Sequence, residues 1–156
     1  MRYEHERMDN PLMDEMEELW KEHWEEVANF QDKIQLSVDR EAYCGMQDNG
    51  LYQTIIARDD SGKLIGYVGF IISIHPHYKN NIFASMDNVF LHKNHRKGLA
   101  GYRLFKEAEK LLKELGVDMI MMRSKVKNDL SPIFKKMGYD PVETVYAKFV
   151  GDDHGS

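Results

Sequence analysis

The segment His95-Arg96-Lys97-Gly98-Leu99-Ala100-Gly101 gathers cations and small residues between an apolar run and a helix-like pattern. At a strand-to-helix junction the first helical turn presents unpaired backbone N–H groups and the positive end of its dipole, a setting that favours phosphate. Gly98, Ala100 and Gly101 lack bulk and let an anion approach the backbone. Arg96, Lys97 and His95 add the matching sign, and a pyrophosphate fits such a loop. The competing reading is a plain connection whose cations are solvated. The dinucleotide fingerprint GxGxxG and the GxxxxGK[ST] loop of nucleotide hydrolysis are both absent.

Two other spots invite chemistry. His75-Pro76-His77 brings two imidazoles close in sequence, but no further Cys, His or Asp stands at a recognised metal-ligand spacing. A polar loop or substrate rim is the expectation there, and no metal. Cys44 is the single cysteine, so an intramolecular disulfide is impossible and a reducing, cytoplasmic setting is expected. Nothing near it in sequence activates a thiolate, which leaves it as a small buried hydrophobe.

The elements that must position these groups are legible. Over Pro11 to Phe30, Leu12, Met16, Leu19, Trp20, Trp24 and Val27 recur at three-to-four spacing among acidic residues, predicting an amphipathic helix with Asn10 as its cap and Pro11 in its first turn. A shorter helix is predicted over Asp39 to Gln47, stopped by Asp48-Asn49-Gly50. Leu51 to Arg58 and Leu64 to Ile74 flank the turn Asp59 to Lys63, which predicts a hairpin. Ile82 to Leu91 extends it into an antiparallel meander. A helix from Ala100 stopped by Gly116, a strand over Val117 to Met122, a short helix over Leu130 to Met137 stopped by Gly138, and a last strand over Glu143 to Val150 complete the order. Strand, helix, strand around the basic loop is a crossover unit with parallel neighbours.

The chain has 156 residues, enough for one domain over residues 1–150, with 151–156 as a solvated tail. A net charge of −5 argues against a protein whose main task is neutralising nucleic-acid phosphates. The longest apolar run, Leu64 to Ile74, is about half of what a membrane-spanning helix needs, so no membrane association is expected. The N-terminal residues carry mixed charges and no apolar stretch of a secretory signal.

This order of elements, with the loop at His95 to Gly101 and the later "SPIFKKMGYD", resembles the GNAT superfamily of N-acetyltransferases over nearly the whole chain. The resemblance implies an α+β fold whose central, mostly antiparallel sheet splays between its fourth and fifth strands and is flanked by helices. Acetyl-CoA would lie in the splay, its pyrophosphate on the loop. The family pattern, Arg or Gln followed by xxGx and Gly or Ala, aligns on His95 to Ala100, with His95 as the departure. By the same resemblance the main chain of Phe90, Leu91 and His92 would pair with the pantetheine arm, and Asn128 would contact the cofactor. Phe134 stands where the family commonly has a tyrosine that protonates the departing thiolate. Glu22 and Glu26, on a helix that walls the acceptor site in the family, would favour a cationic amine.

Attack of an amine on a thioester needs a base, oxyanion donors and an acid for sulfur. Asp87 is the base candidate: it precedes Leu91 by four residues, and period-two alternation would put both on one face. Its competing role is a locally satisfied polar pair with Asn88. Tyr139 and Tyr146 are the alternative acids, each otherwise a buried aromatic with one hydrogen bond; Tyr78 is similar. The implied activity is direct transfer of acetyl from acetyl-CoA to a primary amine of a small molecule or protein, with a homodimer possible. A non-catalytic CoA-binding or protein-interaction module on the same scaffold is the alternative.

Overall fold

The computed structural model describes residues 1–152; Asp153 to Ser156, the end of the expected tail, lie outside the described residues. The elements are β1 (Arg2–His5), α1 (Asn10–Val27), α2 (Arg40–Asp48), β2 (Tyr52–Arg58), β3 (Leu64–Ser73), β4 (Phe83–Leu91), a 3-10 turn (Lys93–His95), α3 (Ala100–Glu114), β5 (Met119–Met121) and α4 (Ser131–Lys136). They build a five-stranded sheet in the order β1-β2-β3-β4-β5. Its pairs are antiparallel except for the parallel pair of β4 and β5 that the crossover through α3 produces.

Helix α1 begins one residue before the expected position. Asp9 rather than Asn10 is the cap, its carboxylate accepting the Leu12 N–H. Asp39 caps α2 in the same way through Ala42. Each carboxylate satisfies one of the donors that a helix start leaves without a partner.

The sheet is covered on both faces. On one face Leu104, Phe105, Ala108 and Leu112 of α3 pack on Ile55, Val68, Phe70 and Met86. On the other, Leu12, Met16, Leu19 and Trp20 of α1 pack on Tyr52, Ile56, Tyr67 and Phe90. Both cores are apolar stripes removed from water, at roughly 25 cal/mol per Å² of apolar surface.

Three expectations change. Residues Arg2 to His5 form an edge strand that charged residues conceal in the sequence. It is held by its ladder to β2 and by Tyr3, whose hydroxyl donates to the carbonyl of Ala100 at 3.1 Å. The last strand over Glu143 to Val150 does not form: these residues have no assigned strand structure, and Val145 and Tyr146 are 80% and 90% exposed. Alternating apolar residues make a strand only when a ladder and a covered face are available, and here β5 is the end of the sheet.

The third change is a bulge in β4. Asn88 lies opposite Gly69 while Met86 lies opposite Phe70, so Asp87 is the extra residue. The bulge breaks the period-two alternation. Leu91 joins Met86 in the core under α3, whereas Asp87 turns to the face of α1 and α2, where it meets Tyr43 and Tyr52. Asp87 and Leu91 therefore do not share a face.

Candidate active site

Strands β4 and β5 pair over only three residues each, Phe83 to Ser85 with Met119 to Met121. Beyond Ser85 they part, and a cavity of about 320 Å³ opens between the second half of β4, the end of α1, the start of α3 and the segment leading into α4.

One end of this cleft is the start of α3. Gly98 sits at φ 67°, in the left-handed region that glycine enters without a Cβ penalty. Leu99 in the cap position supplies no side-chain hydrogen bond, and the first helical bond runs from Arg103 N–H to the Leu99 carbonyl. The N–H groups of the intervening turn are thus the unpaired donors that suit an anion. Gly98, Leu99, Gly101 and Tyr102 line the cleft there, and Lys136 lies over the Tyr102 ring with its Nζ 5.3 Å from the centroid.

One wall is the free edge of β4. The His92 N–H donates to Ile65 of β3 at 2.7 Å, while the Leu91 carbonyl accepts from Arg96 Nε at 2.6 Å. Backbone polar groups alternate in direction along an antiparallel strand. Val89 and Leu91, rather than Phe90 and His92, therefore turn theirs toward the cleft. Arg96 closes this wall. Its guanidinium forms a bidentate pair with Glu26 at 2.6 and 2.7 Å and lies 5.4 Å from the centroid of the Phe90 ring. The guanidinium in turn holds the Glu26 carboxyl below the usual carboxylate range.

Past Val89, at the bulge, Oδ2 of Asp87 accepts hydroxyl protons from Tyr43 at 3.0 Å and Tyr52 at 2.9 Å. Oδ1 has no protein partner among the described residues. Burial first, and then the Asp87 charge, push both phenols well above their ordinary value, so they remain donors. On the neighbouring turn of α1, His23 stacks on Phe90 with centroids 5.2 Å apart, and its Nδ1 lies 2.8 Å from the hydroxyl of Tyr67.

The structure brings together at the cleft Phe90, Leu91, Arg96, Gly98, Leu99, Gly101 and Asn128 of the residues expected there, with Ala100 as the first residue of α3. Lys97 is exposed beside the loop. His92 and His95 line a separate cleft with Glu15, Glu18 and Glu22 of α1, and Nε2 of His92 is 3.5 Å from Glu22. Phe134 is 7% exposed and packs edge-on against Phe105, in the core behind the cleft wall. The Tyr139 hydroxyl donates to Glu109 of α3 at 3.1 Å, and Tyr146 lies in the exposed C-terminal segment. The His75 ring accepts the backbone N–H of His77 at 3.1 Å, and among the described residues no group of three or more His, Cys, Asp or Glu is placed to hold a metal. No described helix is long and apolar enough to cross a membrane.

Sequence reasoning missed His23, Tyr43, Tyr52, Tyr67 and Val89. One signal was present: His23 follows Leu19 by four and Trp20 by three residues, a titratable ring on an apolar stripe.

A sheet split beside an uncapped helix start is matched by a family model. The model of the acetyltransferase (GNAT) family covers residues 11–139. The chain belongs to the GNAT family. Solved GNAT-like structures superpose over almost its whole length. A ribosomal-protein-alanine N-acetyltransferase from Brucella melitensis biovar Abortus 2308 has a TM-score of 0.71 at 14% identity, covering 96% of this chain and 100% of the other. An aminoglycoside acetyltransferase from an uncultured soil metagenomic sample, in complex with sisomicin, gives 0.71 at 13% identity, covering 97% and 95%. A predicted acetyltransferase from Clostridium acetobutylicum, with acetyl-CoA, gives 0.68 at 13% identity, covering 95% of each. No curated protein sequence matches this GNAT chain. At such identities the structural likeness speaks for the fold alone, and the family model carries the membership.

Proposed function

We propose that this protein is an acetyl-CoA-dependent N-acetyltransferase that acylates a primary amine by direct attack in a ternary complex. The observation that carries the proposal is the split itself, with an uncapped helix start at one end and a strand edge along the wall; a carboxylate held by two phenols stands at the bulge of that strand, two residues before Val89 of the cleft wall.

The donors present fit the cosubstrate. The first turn of α3 takes the diphosphate through backbone N–H groups, a contact that tolerates His95 at the head of the loop because the loop shape and not that side chain makes it. The backbone of Val89 and the N–H of Leu91, whose carbonyl is held by Arg96, pair with the amides of the pantetheine arm as an added strand does. The arm runs along β4 from the loop toward the bulge and delivers the thioester beside Val89.

Asp87, with Oδ2 fixed by two hydroxyls and Oδ1 open, takes a proton from the incoming ammonium or amine, directly or through water. The neutral amine attacks the carbonyl carbon, and the C–S pair leaves on sulfur. With Tyr139 bonded to Glu109, Tyr146 exposed and Phe134 in the core, water is the source of the sulfur proton.

The test is thermal unfolding with and without acetyl-CoA, followed by screening of amines. Ligand at about 100 times its Kd adds roughly 2.7 kcal/mol, or about 5–10 °C for a domain of this size. Replacing Gly98 and Ala100 together with Val should abolish the shift in a protein that still folds, since a Cβ at Gly98 meets no atom within 4 Å and only the local backbone is strained. No shift in the parent at millimolar acetyl-CoA would overturn the reading. A shift without transfer to any amine would leave a CoA-binding module.

A further inference from the structure

The wall of the cleft formed by α1 carries a histidine that the proton path through Asp87 does not use, and its hydrogen bonding defines which nitrogen bears the proton. His23 stacks on Phe90 with an interplanar angle of 25°, and its Nδ1 is 2.8 Å from the hydroxyl of Tyr67. Tyr67 is 1% exposed, and this contact is the only hydrogen bond of its hydroxyl among the described residues. If Nδ1 were the donor, the phenolic proton would be buried with no acceptor, at a cost of about 1–3 kcal/mol. The hydroxyl therefore donates to Nδ1, and the neutral ring carries its own proton on Nε2.

Nε2 has no partner among the described residues. No buried side-chain nitrogen or oxygen is without one, so Nε2 keeps accessible surface, and His23 lines the cleft beside Val89 and Phe90. A donor without a protein partner thus stands on the cleft wall at the end where the proposed path of acetyl-CoA places the thioester. A base role is closed to this ring, because one nitrogen accepts from Tyr67 and the other is already protonated.

We infer that the Nε2–H of His23 donates a hydrogen bond to the thioester carbonyl oxygen and stabilises the oxyanion formed on amine attack. This inference rests on the acetyl-CoA reading. In the step, the amine lone pair forms the N–C bond while the carbonyl π pair moves onto the oxygen held by His23. Collapse restores the C=O bond and expels the C–S pair onto sulfur. The amine proton leaves through Asp87 and water, a water proton reaches the sulfur, and His23 keeps its proton throughout. Nothing is oxidised or reduced.

The surroundings keep the ring neutral. Burial lowers its pKa to about 4; of the charged groups facing it, Glu26 and Asp87 oppose that shift while Lys125 and Arg96 assist it. A neutral imidazole held as donor polarises a carbonyl without risk of giving its proton away, and a donor fixed in a site of low dielectric acts where charge develops.

The experiment is isotope-edited infrared difference spectroscopy of acetyl-CoA labelled at the acetyl carbonyl and bound to the full chain, which needs no knowledge of the acceptor. The parent should lower the thioester carbonyl frequency relative to solution. His23→Phe, which keeps a stacking ring on Phe90 but has no donor, should lose that shift, and His23→Gln, whose amide can donate, should retain part of it. With any amine found to be acetylated, His23→Phe should lower kcat about 10²- to 10³-fold with KM nearly unchanged, and His23→Gln should recover some of the loss. An identical carbonyl shift in the parent and in a folded, ligand-binding His23→Phe would overturn the role of His23 and leave the acetyl-CoA reading standing. Absence of acetyl-CoA binding by the parent would overturn both. If His23→Phe fails to fold, Tyr67→Phe gives the same decision: without the phenolic donor the tautomers mix and the shift must shrink, and an undiminished shift refutes the assignment.

Discussion

The hydroxyl of Tyr52 occupies the space that a side chain at Gly69 would need: a Cβ built on Gly69 would overlap that oxygen. Gly69 is the residue opposite the β4 bulge. Its bare backbone lets the phenol of a neighbouring strand lie flat across β3 and reach Asp87 on the next strand.

Gly69→Ala should therefore act at a distance. The methyl group displaces the Tyr52 ring, whose Cζ is also within 2.7 Å of the new atom, at a cost of about 1–3 kcal/mol for overpacking. Chemical denaturation should show that loss, and acetyl transfer should fall because Asp87 loses one of its two donors. A variant as stable and as active as the parent would show that Tyr52 does not set the position of Asp87.

Asp87→Asn keeps shape and removes the proton acceptor. Acetyl transfer should fall about 10²- to 10⁴-fold, the usual contribution of a positioned base. Binding of acetyl-CoA, measured by calorimetry, should be almost unaffected, because the contacts proposed for its diphosphate and pantetheine lie elsewhere. Equal loss of binding and turnover would argue for a structural role of the carboxylate.

Glu26→Gln should strengthen cosubstrate binding. In the free protein the Arg96 guanidinium is held by the Glu26 carboxylate while its Nε covers the Leu91 carbonyl. Removing the charge releases the cation beside the loop proposed to hold the diphosphate and removes a repulsive group. The Kd for acetyl-CoA should fall about three- to tenfold, corresponding to roughly 0.7–1.4 kcal/mol, with a steeper salt dependence. Weaker binding would show that the pair itself shapes the cleft.

Stability should depend on pH through His23. The unfolded imidazole titrates near 6.5, whereas burial lowers the folded value to about 4. Between these values the unfolded chain binds the extra proton, so stability rises with pH. The contribution, on the order of 3 kcal/mol, is complete above about pH 6.5 and is lost as pH falls toward 4. Denaturation curves of the parent should weaken across that window more steeply than those of His23→Gln. Parallel pH dependences would exclude a buried neutral His23.

Much of the fold was legible because it is local. The stripe of α1, the hairpin turn between β2 and β3, and the glycines that end α3 and α4 at φ 85° and 90° are written in neighbouring residues. The loop before α3 was legible for the same reason, since Gly98 and the helix start need no distant partner. The strand at Arg2 to His5 was not, because its charged residues carry no alternation and its ladder to β2 makes it a strand. The segment from Glu143 to Val150 misled in the opposite sense, carrying the alternation without the partner.

From the sequence alone came the helices, the β2–β3 hairpin and the glycine-bearing start of α3, because helix periodicity, turn residues and a left-handed glycine act within a few residues. The face that Asp87 occupies was set by tertiary packing. A bulge depends on the register of two strands, and register follows from how both faces of the sheet are packed. The same packing assembled the rest of the site: Tyr43 reaches Asp87, and Tyr67 reaches His23, each across 44 residues of sequence. No local pattern encodes such pairings, because they exist only once α1 and α2 have settled on the sheet.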